Sequence, residues 1–306
     1  MITSAFTCTG PYAILILLGI KRVENRNAMP VPAKGRCAIS CSKSFCKEEY
    51  GEFVRWASRA LTPEEFETIP AWDDVRDWPG KVVGACDYEA GTARPESAPY
   101  QGVLLSAPVA EGRDGTVGSG VSAPATRDAS GTVMWDEGCP YWWKLSEIVA
   151  FGRPIPCRGN VGMWQMPSAL AAQVSAADRL ARSVGDRIAS AADAADLFRL
   201  AVPVADGSEG FFVIPLDENR RVLAEPILVS LGTSSVTTAV QPGEVFGAAL
   251  KADAKAIVIA HNHPSGNTTP SAQDRELTAA LKRLGEALGV TVLDHLVIGG
   301  NSFAVI

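Results

Sequence analysis

The strongest pattern of apolar and polar positions lies in the last hundred residues. The stretch "GFFVIPLDENRRVLAEPILVS" puts two apolar runs of strand length around a polar turn at Asp217–Arg220, and predicts two strands. "QPGEVFGAALKAD" reads as a helix, and "AKAIVIA" as a buried strand because it is apolar throughout. In "SAQDRELTAALKRLGEALG", Leu277, Leu281, Leu284 and Leu288 fall on one helical face, with Gly289 as the stop. "VTVLDHLVIGG" and "SFAVI" close the chain as strands. Strands alternating with helices predict an α/β domain.

The first half patterns differently. "RCAISCS", "KVVGACDY", "YWWKLSEIVAF" and "RPIPCRGNVGMWQMP" read as β structure, and "TPEEFETI" as a short helix opened by a capping box. The apolar run "PYAILILLGI" is too short to span a bilayer, lacks the flanks of a signal peptide, and reads as buried. Residues 106–133 are rich in Gly, Ser, Ala and Pro and read as a long flexible insertion. All seven tryptophans lie between Trp56 and Trp164. From Ser168 to about Leu200 the chain turns alanine-rich and helical, with "SAADAADLFRL" at helical spacing. The expected organisation is therefore a domain over 1–167, a helical linker over 168–185 and a second domain over 186–306.

Composition narrows the class. The net charge is −6 over 306 residues, which excludes a generally basic nucleic-acid binder. Residues 11–47 nevertheless hold seven Lys/Arg and one acid, Glu24, so an anionic partner is expected there. Seven cysteines, an odd number without a regular framework, read as thiols in a reducing compartment. Together these features predict a soluble cytoplasmic protein with no membrane partner.

Candidate chemistry concentrates in "IVIAHNHPSGNTTPSAQD". Two of the chain's three histidines, His261 and His263, end the buried strand and project to one face. Asp274, in the first turn of the next helix, can converge on them, and imidazoles with a carboxylate suit Zn²⁺. Helix capping by Ser271 and Asp274 is the structural alternative. The third histidine, His295, is expected to pack or hydrogen-bond beside the site. The pattern His-x-His-Pro-x6-Ser-x2-Asp is that of JAMM (JAB/MPN) metalloproteins. The text from "GEVFGAALKADAKAIVIA" to "LDHLVIGG" resembles their RadC-type branch. The resemblance implies a JAB/MPN mixed-sheet fold, cytidine-deaminase-like, over 186–306. It also implies one Zn²⁺ per chain on His261, His263 and Asp274, with Ser271 stabilising a tetrahedral intermediate. A glutamate upstream is the general acid/base: Glu209 at the start of the first core strand, with Glu244 as competitor. The implied activity is that of a zinc metallohydrolase of the metallopeptidase class, acting on a peptide or amide substrate. The helix-hairpin-helix region usual in RadC-type proteins is not found in this sequence. The letters HNH are not the nuclease motif of that name, which spreads its residues over a ββα unit.

In the first half, "GIKRVENR" fits Gly-x-Lys-x-x-Glu-x-Arg, followed by "KGRCAISCSK" and later by "IPCRGNVGMW". This set resembles the ASCH family and implies a PUA-like β-barrel of α+β type. Lys21 and Arg26 are then candidate phosphate contacts and Glu24 a base-orienting group, for RNA or a nucleotide. A surface ion-pair cluster over a tryptophan-rich core is the plain alternative. Some ASCH relatives are amidohydrolases or nucleases, which makes Lys21 and Glu24 catalytic candidates too. The leading expectation is a zinc-dependent JAMM-type hydrolase carrying an RNA- or nucleotide-binding module. The alternative is a binding protein of nucleic-acid processing or DNA repair with a vestigial metal site.

Overall fold

The computed structural model describes residues 1–26, 28–91, 125–127, 133–135, 141–160, 162–201, 208–232 and 240–306. The chain divides into two compact units, Met1–Ser175 and Ala176–Ile306. The division falls inside a helix of the stretch read as a linker.

Unit 1 contains β1 (Ser4–Cys8), α1 (Gly10–Leu17), β2 (Val23–Arg26), β3 (Lys34–Cys41), α2 (Lys47–Ala60), α3 (Pro63–Glu67), α4 (Trp72–Val75), β4 (Lys81–Gly91), β5 (Ala125–Arg127), β6 (Val133–Trp135), β7 (Tyr141–Pro156), β8 (Met163–Gln165) and the start of α5 (Ser168–Arg182). Six strands form one sheet in the order β2-β7-β4-β3-β1-β8. The pair β1–β3 is parallel and its other pairs are antiparallel. The sheet curls as a half-barrel with β2 and β8 at its ends, where the sequence reading expects a barrel. The "PYAILILLGI" run forms α1, and Ala13, Ile14, Leu15 and Ile16 are wholly buried in the core beside Phe6, Ile39 and Trp143. A helix apolar all round has to be buried in this way. Helix α2 was not foreseen, although Phe53, Trp56 and Ala57 give it a buried face. Thr62 and Glu65 close the capping box of α3. The expected 106–133 insertion lies outside the described residues, apart from β5 and the first residue of β6, two strands that pair with each other.

Unit 2 contains α6 (Ala191–Ala201), β9 (Glu209–Leu216), β10 (Ile227–Gly232), α7 (Pro242–Lys251), β11 (Ala256–Asn262), α8 (Ala272–Leu288), β12 (Thr291–Gly299) and β13 (Ser302–Val305). Five strands order as β10-β9-β11-β12-β13, with only β11–β12 parallel. The sheet is mixed, as expected. Each face carries its own core. Phe212, Ile214, Val258 and Ala260 pack with Phe198 of α6. Phe211, Val213, Ile257 and Ile259 pack with Val245 and Phe246 of α7 and Leu281 of α8. Strand alternation produces the division, and it decides which face each site residue joins.

Helix α8 docks differently from its leucine pattern. Its buried residues are Thr278, Leu281 and Gly285, while Leu284 and Leu288 stay 42% and 48% exposed. A Cβ on Gly285 would stand 2.3 Å from the Val290 carbonyl oxygen, so glycine sets the close approach of α8 to the chain entering β12. Among the described residues, no helix is long and apolar enough to cross a membrane.

Candidate metal centre

His261 follows Ile257 and Ile259 on the α7/α8 face of β11, and Glu209 precedes Phe211 and Val213 on the same face of β9. Asn262 projects the other way. Its Oδ1 accepts from the Gly210 N–H at 2.8 Å and its Nδ2 donates to the Ser208 carbonyl at 2.8 Å. That clamp fixes the start of β9 beside the end of β11, and so fixes where Glu209 emerges. The His261 ring stacks on Phe211, with centroids 6.2 Å apart.

Helix α8 supplies the second carboxylate. Ser271 caps the helix, its Oγ accepting from the Asp274 N–H at 3.1 Å. Asp274 Oδ2 accepts from the Ser271 N–H and hydroxyl, both at 2.7 Å, while its Oδ1 lies 3.6 Å from His261 Nε2. One carboxylate thus both starts the helix and faces the histidines. Capping and metal binding, separate readings from sequence, are compatible here.

Among the described residues, Glu209, His261 and His263 form the one group whose ligand atoms all lie within 4.8 Å of one another; the expected ligand Asp274 stands outside that group and the expected base Glu209 inside it. Hydrogen bonding tests whether a cation fits. The Asn267 carbonyl faces His263 Nδ1 at 2.5 Å, and a carbonyl only accepts, so Nδ1 carries the proton and Nε2 of the neutral ring a lone pair. On the other side, the Thr278 hydroxyl donates to the Asp274 carbonyl at 2.6 Å and lies 2.6 Å from His295 Nδ1. His295 Nδ1–H then donates to Thr278, and His295 Nε2, at 2.9 Å, accepts from His261 Nδ1–H. In this arrangement His261 Nε2 carries a lone pair and stands 3.0 Å from the Nε2 of His263. In that arrangement the two lone pairs face each other beside two carboxylates, a place for a cation; with the opposite tautomers one Nε2–H donates to the other. The donor set fits Zn²⁺.

Burial sets the protonation. It pushes the His261 pKa down to about 4 and that of His295 to about 3, with His261 adding to the second shift. Both rings are therefore neutral at neutral pH, as metal ligation requires. The carboxylates diverge. Burial raises Glu209, with Asp274 adding and His263 opposing. Burial also works against the charge on Asp274, but hydrogen bonds from Ser271 and the two nearby imidazoles outweigh it, and its pKa falls below the ordinary aspartate value.

Residues 188–305 match the family model of the RadC-like JAB domain. The RadC-like region holds every residue of the cluster. The chain is 40% identical over 99 residues to UPF0758 protein SH1266 of Staphylococcus haemolyticus, which covers 32% of this chain and 43% of that protein. It is 39% identical over 135 residues to a UPF0758 protein of Rubrobacter xylanophilus, covering 44% and 57%. A third, from Desulforudis audaxviator, is 45% identical over 95 residues, covering 31% and 40%. The chain thus spans about half the length of these relatives. Glu244 stands exposed in the first turn of α7, outside the group of Glu209, His261 and His263. Thr278, Asn262 and Asn267 were not foreseen. The path of the loop brings Asn267 to His263 and the docking of α8 brings Thr278 to His295, while Asn262 acts on the start of β9.

Unit 1 lies entirely before the RadC-like region. Its candidates Lys21, Glu24 and Arg26 do come together, but inside the fold. Lys21 is 1% and Glu24 4% exposed. Lys21 Nζ lies 2.7 Å and Arg26 Nη2 2.9 Å from the Glu24 carboxylate. Burial opposes the Glu24 charge, yet these two cations reverse that and lower its pKa. Lys21 also bonds the Val23 carbonyl, and Arg26 the Thr7 carbonyl, with the guanidinium over the Phe6 and Trp143 rings. A surface of free phosphate-binding cations is therefore not what these residues form. Three buried side-chain polar atoms among the described residues lack a hydrogen-bond partner: Thr9 Oγ1, Arg26 Nε and Trp143 Nε1. Arg26 and Trp143 belong to this cluster, and Thr9 follows the strand that receives Arg26.

Proposed function

We propose that the RadC-like region is a zinc-dependent hydrolase of the JAMM type, cleaving an amide bond in a peptide or isopeptide. The observation that carries this is the convergence of Glu209, His261 and His263, whose ligand atoms all lie within 4.8 Å of one another with the two Nε2 atoms 3.0 Å apart. His261 and His263 hold the metal, and Asp274, kept ionised by Ser271, completes the set. Bound zinc supplies Lewis acidity, polarising a carbonyl and acidifying a water. Glu209, whose raised pKa makes it a stronger base than an ordinary glutamate, takes the proton of the attacking water and passes it to the leaving amine. Ser271 stands beside Asp274, where its hydroxyl can turn to a developing oxyanion. The opposite pKa shifts of the two carboxylates support giving them different roles.

Metal content by mass spectrometry tests this reading, together with a screen of peptides and isopeptides. The full chain is expected to carry about one zinc, lost in the His261→Ala/His263→Ala variant. A full chain that takes up no zinc on reconstitution would leave a binding protein. A zinc-loaded chain inactive on every substrate would leave a metal site without hydrolysis.

For unit 1 we propose a nucleotide- or RNA-binding module. The unpartnered Arg26 Nε and Trp143 Nε1 favour a ligand bearing hydrogen-bond acceptors. Trp143→Phe keeps an aromatic side chain, though a smaller one, and removes the indole donor. It is expected to weaken ribonucleotide binding about five- to tenfold, the worth of one hydrogen bond, in a fluorescence titration at low salt. No binding by the unaltered protein would reduce the cluster to an internal ion-pair network.

A further inference from the structure

The two facing imidazoles can bind a metal only in one tautomeric arrangement, and the choice is made three residues away. Thr278 has one hydroxyl proton and two acceptors in reach, the Asp274 carbonyl and His295 Nδ1, each at 2.6 Å. Two arrangements satisfy the chain. In the first, the hydroxyl donates to the carbonyl, His295 Nδ1–H donates to the hydroxyl, and His261 Nδ1–H donates to His295 Nε2. Both Nε2 atoms of the pair are then bare. In the second, the hydroxyl donates to His295 Nδ1, His295 Nε2–H donates to His261 Nδ1, and His261 Nε2–H donates to His263 Nε2 across the 3.0 Å gap. That bond occupies the lone pair of His263 and leaves His261 none to give.

Each ring holds one proton in both arrangements, so the net charge is the same. Passing between them, His261 and His295 each take up one proton at Nδ1 as one leaves Nε2, exchanged with water. His263 does not change, because the Asn267 carbonyl holds its Nδ1–H in either case. The switch therefore lies wholly in Thr278, His295 and His261. Thr278 is 3% exposed, His295 0% and His261 2%, so no solvent competes for these bonds.

We propose that His295 and Thr278 are positioning residues that hold His261 in the Nδ1–H tautomer, and that the Thr278–Asp274 hydrogen bond biases the chain toward metal capture. Asp274 faces the metal site through its carboxylate and anchors the chain through its own backbone carbonyl. One residue of α8 thus supplies a charge to the site and sets the tautomer of a ligand on β11. The inference rests on the metal reading of the site.

The test is zinc affinity of the full chain, by competition with a chromogenic chelator at neutral pH. Thr278→Val removes the hydroxyl with little change of shape. His295 Nδ1 then loses its acceptor and keeps its proton on Nε2, which favours the second arrangement. Zinc affinity is expected to fall about 10- to 100-fold although Thr278 touches neither histidine ligand, and Thr278→Ser is expected to restore it. His295→Gln, whose Oε1 replaces Nε2 as acceptor, should hold zinc better than His295→Phe. Nitrogen-15 imidazole shifts read the tautomer directly: His261 is expected as Nδ1–H in the zinc-loaded protein and as Nε2–H in metal-free Thr278→Val. Circular dichroism checks that each variant is folded. Zinc affinity within twofold of the unaltered protein in folded Thr278→Val overturns the proposal, as does no recovery in Thr278→Ser. Failure of the unaltered chain to bind zinc is a different outcome and overturns the metal reading itself.

Discussion

Glu209→Gln is expected to keep about one zinc per chain and to lose about 10²- to 10⁴-fold in hydrolysis, the usual contribution of a general base. Glutamine matches glutamate in shape and still lies at the start of β9, held by the Asn262 clamp on Ser208 and Gly210. What it lacks is the basic oxygen. The half-buried position of Glu209 and its nearness to Asp274 raise its proton affinity, and those features serve a proton carrier better than a permanent ligand. Asp274 has the opposite environment, and Asp274→Asn is expected to weaken zinc itself. Metal analysis and turnover on one purified batch separate the two effects. Zinc lost from Glu209→Gln and retained in Asp274→Asn would exchange their roles. Unchanged hydrolysis by a zinc-loaded Glu209→Gln would remove Glu209 from the chemistry.

Stripped of metal with a chelator, unit 2 is expected to lose stability as the pH falls from about 6.5 toward 4. His261 and His295 are buried and neutral, with pKa values of about 4 and about 3 against 6.5 for a free imidazole. Above 6.5 neither the folded nor the unfolded chain protonates these rings, and the full stability is present. Below 6.5 the unfolded chain gains protons that the folded chain refuses, and the balance shifts toward unfolding until the folded pKa is reached. At 1.36 kcal/mol per pKa unit, His261 alone accounts for about 3 kcal/mol by pH 4. That is a large share of the stability of an ordinary domain. Zinc competes with those protons, so the loaded protein should hold to lower pH. Hydrogen exchange of the β11 and β12 amides at pH 7.5, 6 and 5, with and without zinc, measures both effects. Protection independent of pH in the chelated protein would mean that these rings are solvated rather than buried.

Much of unit 2 can be read from its sequence, and the reason is periodicity. Runs such as "AIVIA" are buried on both faces, and His261 and His263 end one of them two residues apart, so their convergence follows from strand geometry. The leucine spacing of α8 misleads because spacing reports a stripe and not what covers it. Gly285 lets the helix approach β12 closely, and Leu284 and Leu288 remain outside that contact. Lys21, Glu24 and Arg26 mislead in another way. Charged residues in a motif suggest a surface, and only tertiary packing reveals that both cations are paired with the one buried carboxylate of Glu24. The Thr278–His295 chain is beyond a single sequence because it joins a helix to a strand whose parity is irregular.

That irregularity lies in β12. Ile257 pairs with Val292, but Val258 pairs with Asp294 and Ile259 with His295, so one extra residue is taken up in the strand. Val292 packs on the α7/α8 side, and strict alternation from it would point His295 to the α6 side. The extra residue turns His295 back toward α8. Anyone transplanting this site into a designed scaffold would have to carry the insertion with the histidines or drop the one residue it takes up. With every residue of β12 copied onto a regular strand, His261 and His263 would still meet, but the imidazole that orients one of them would face the wrong layer. Deleting Leu293 along with the irregularity would leave His295 two positions after Val292 and still facing α8, so the extra residue and the bulge that absorbs it stand or fall together.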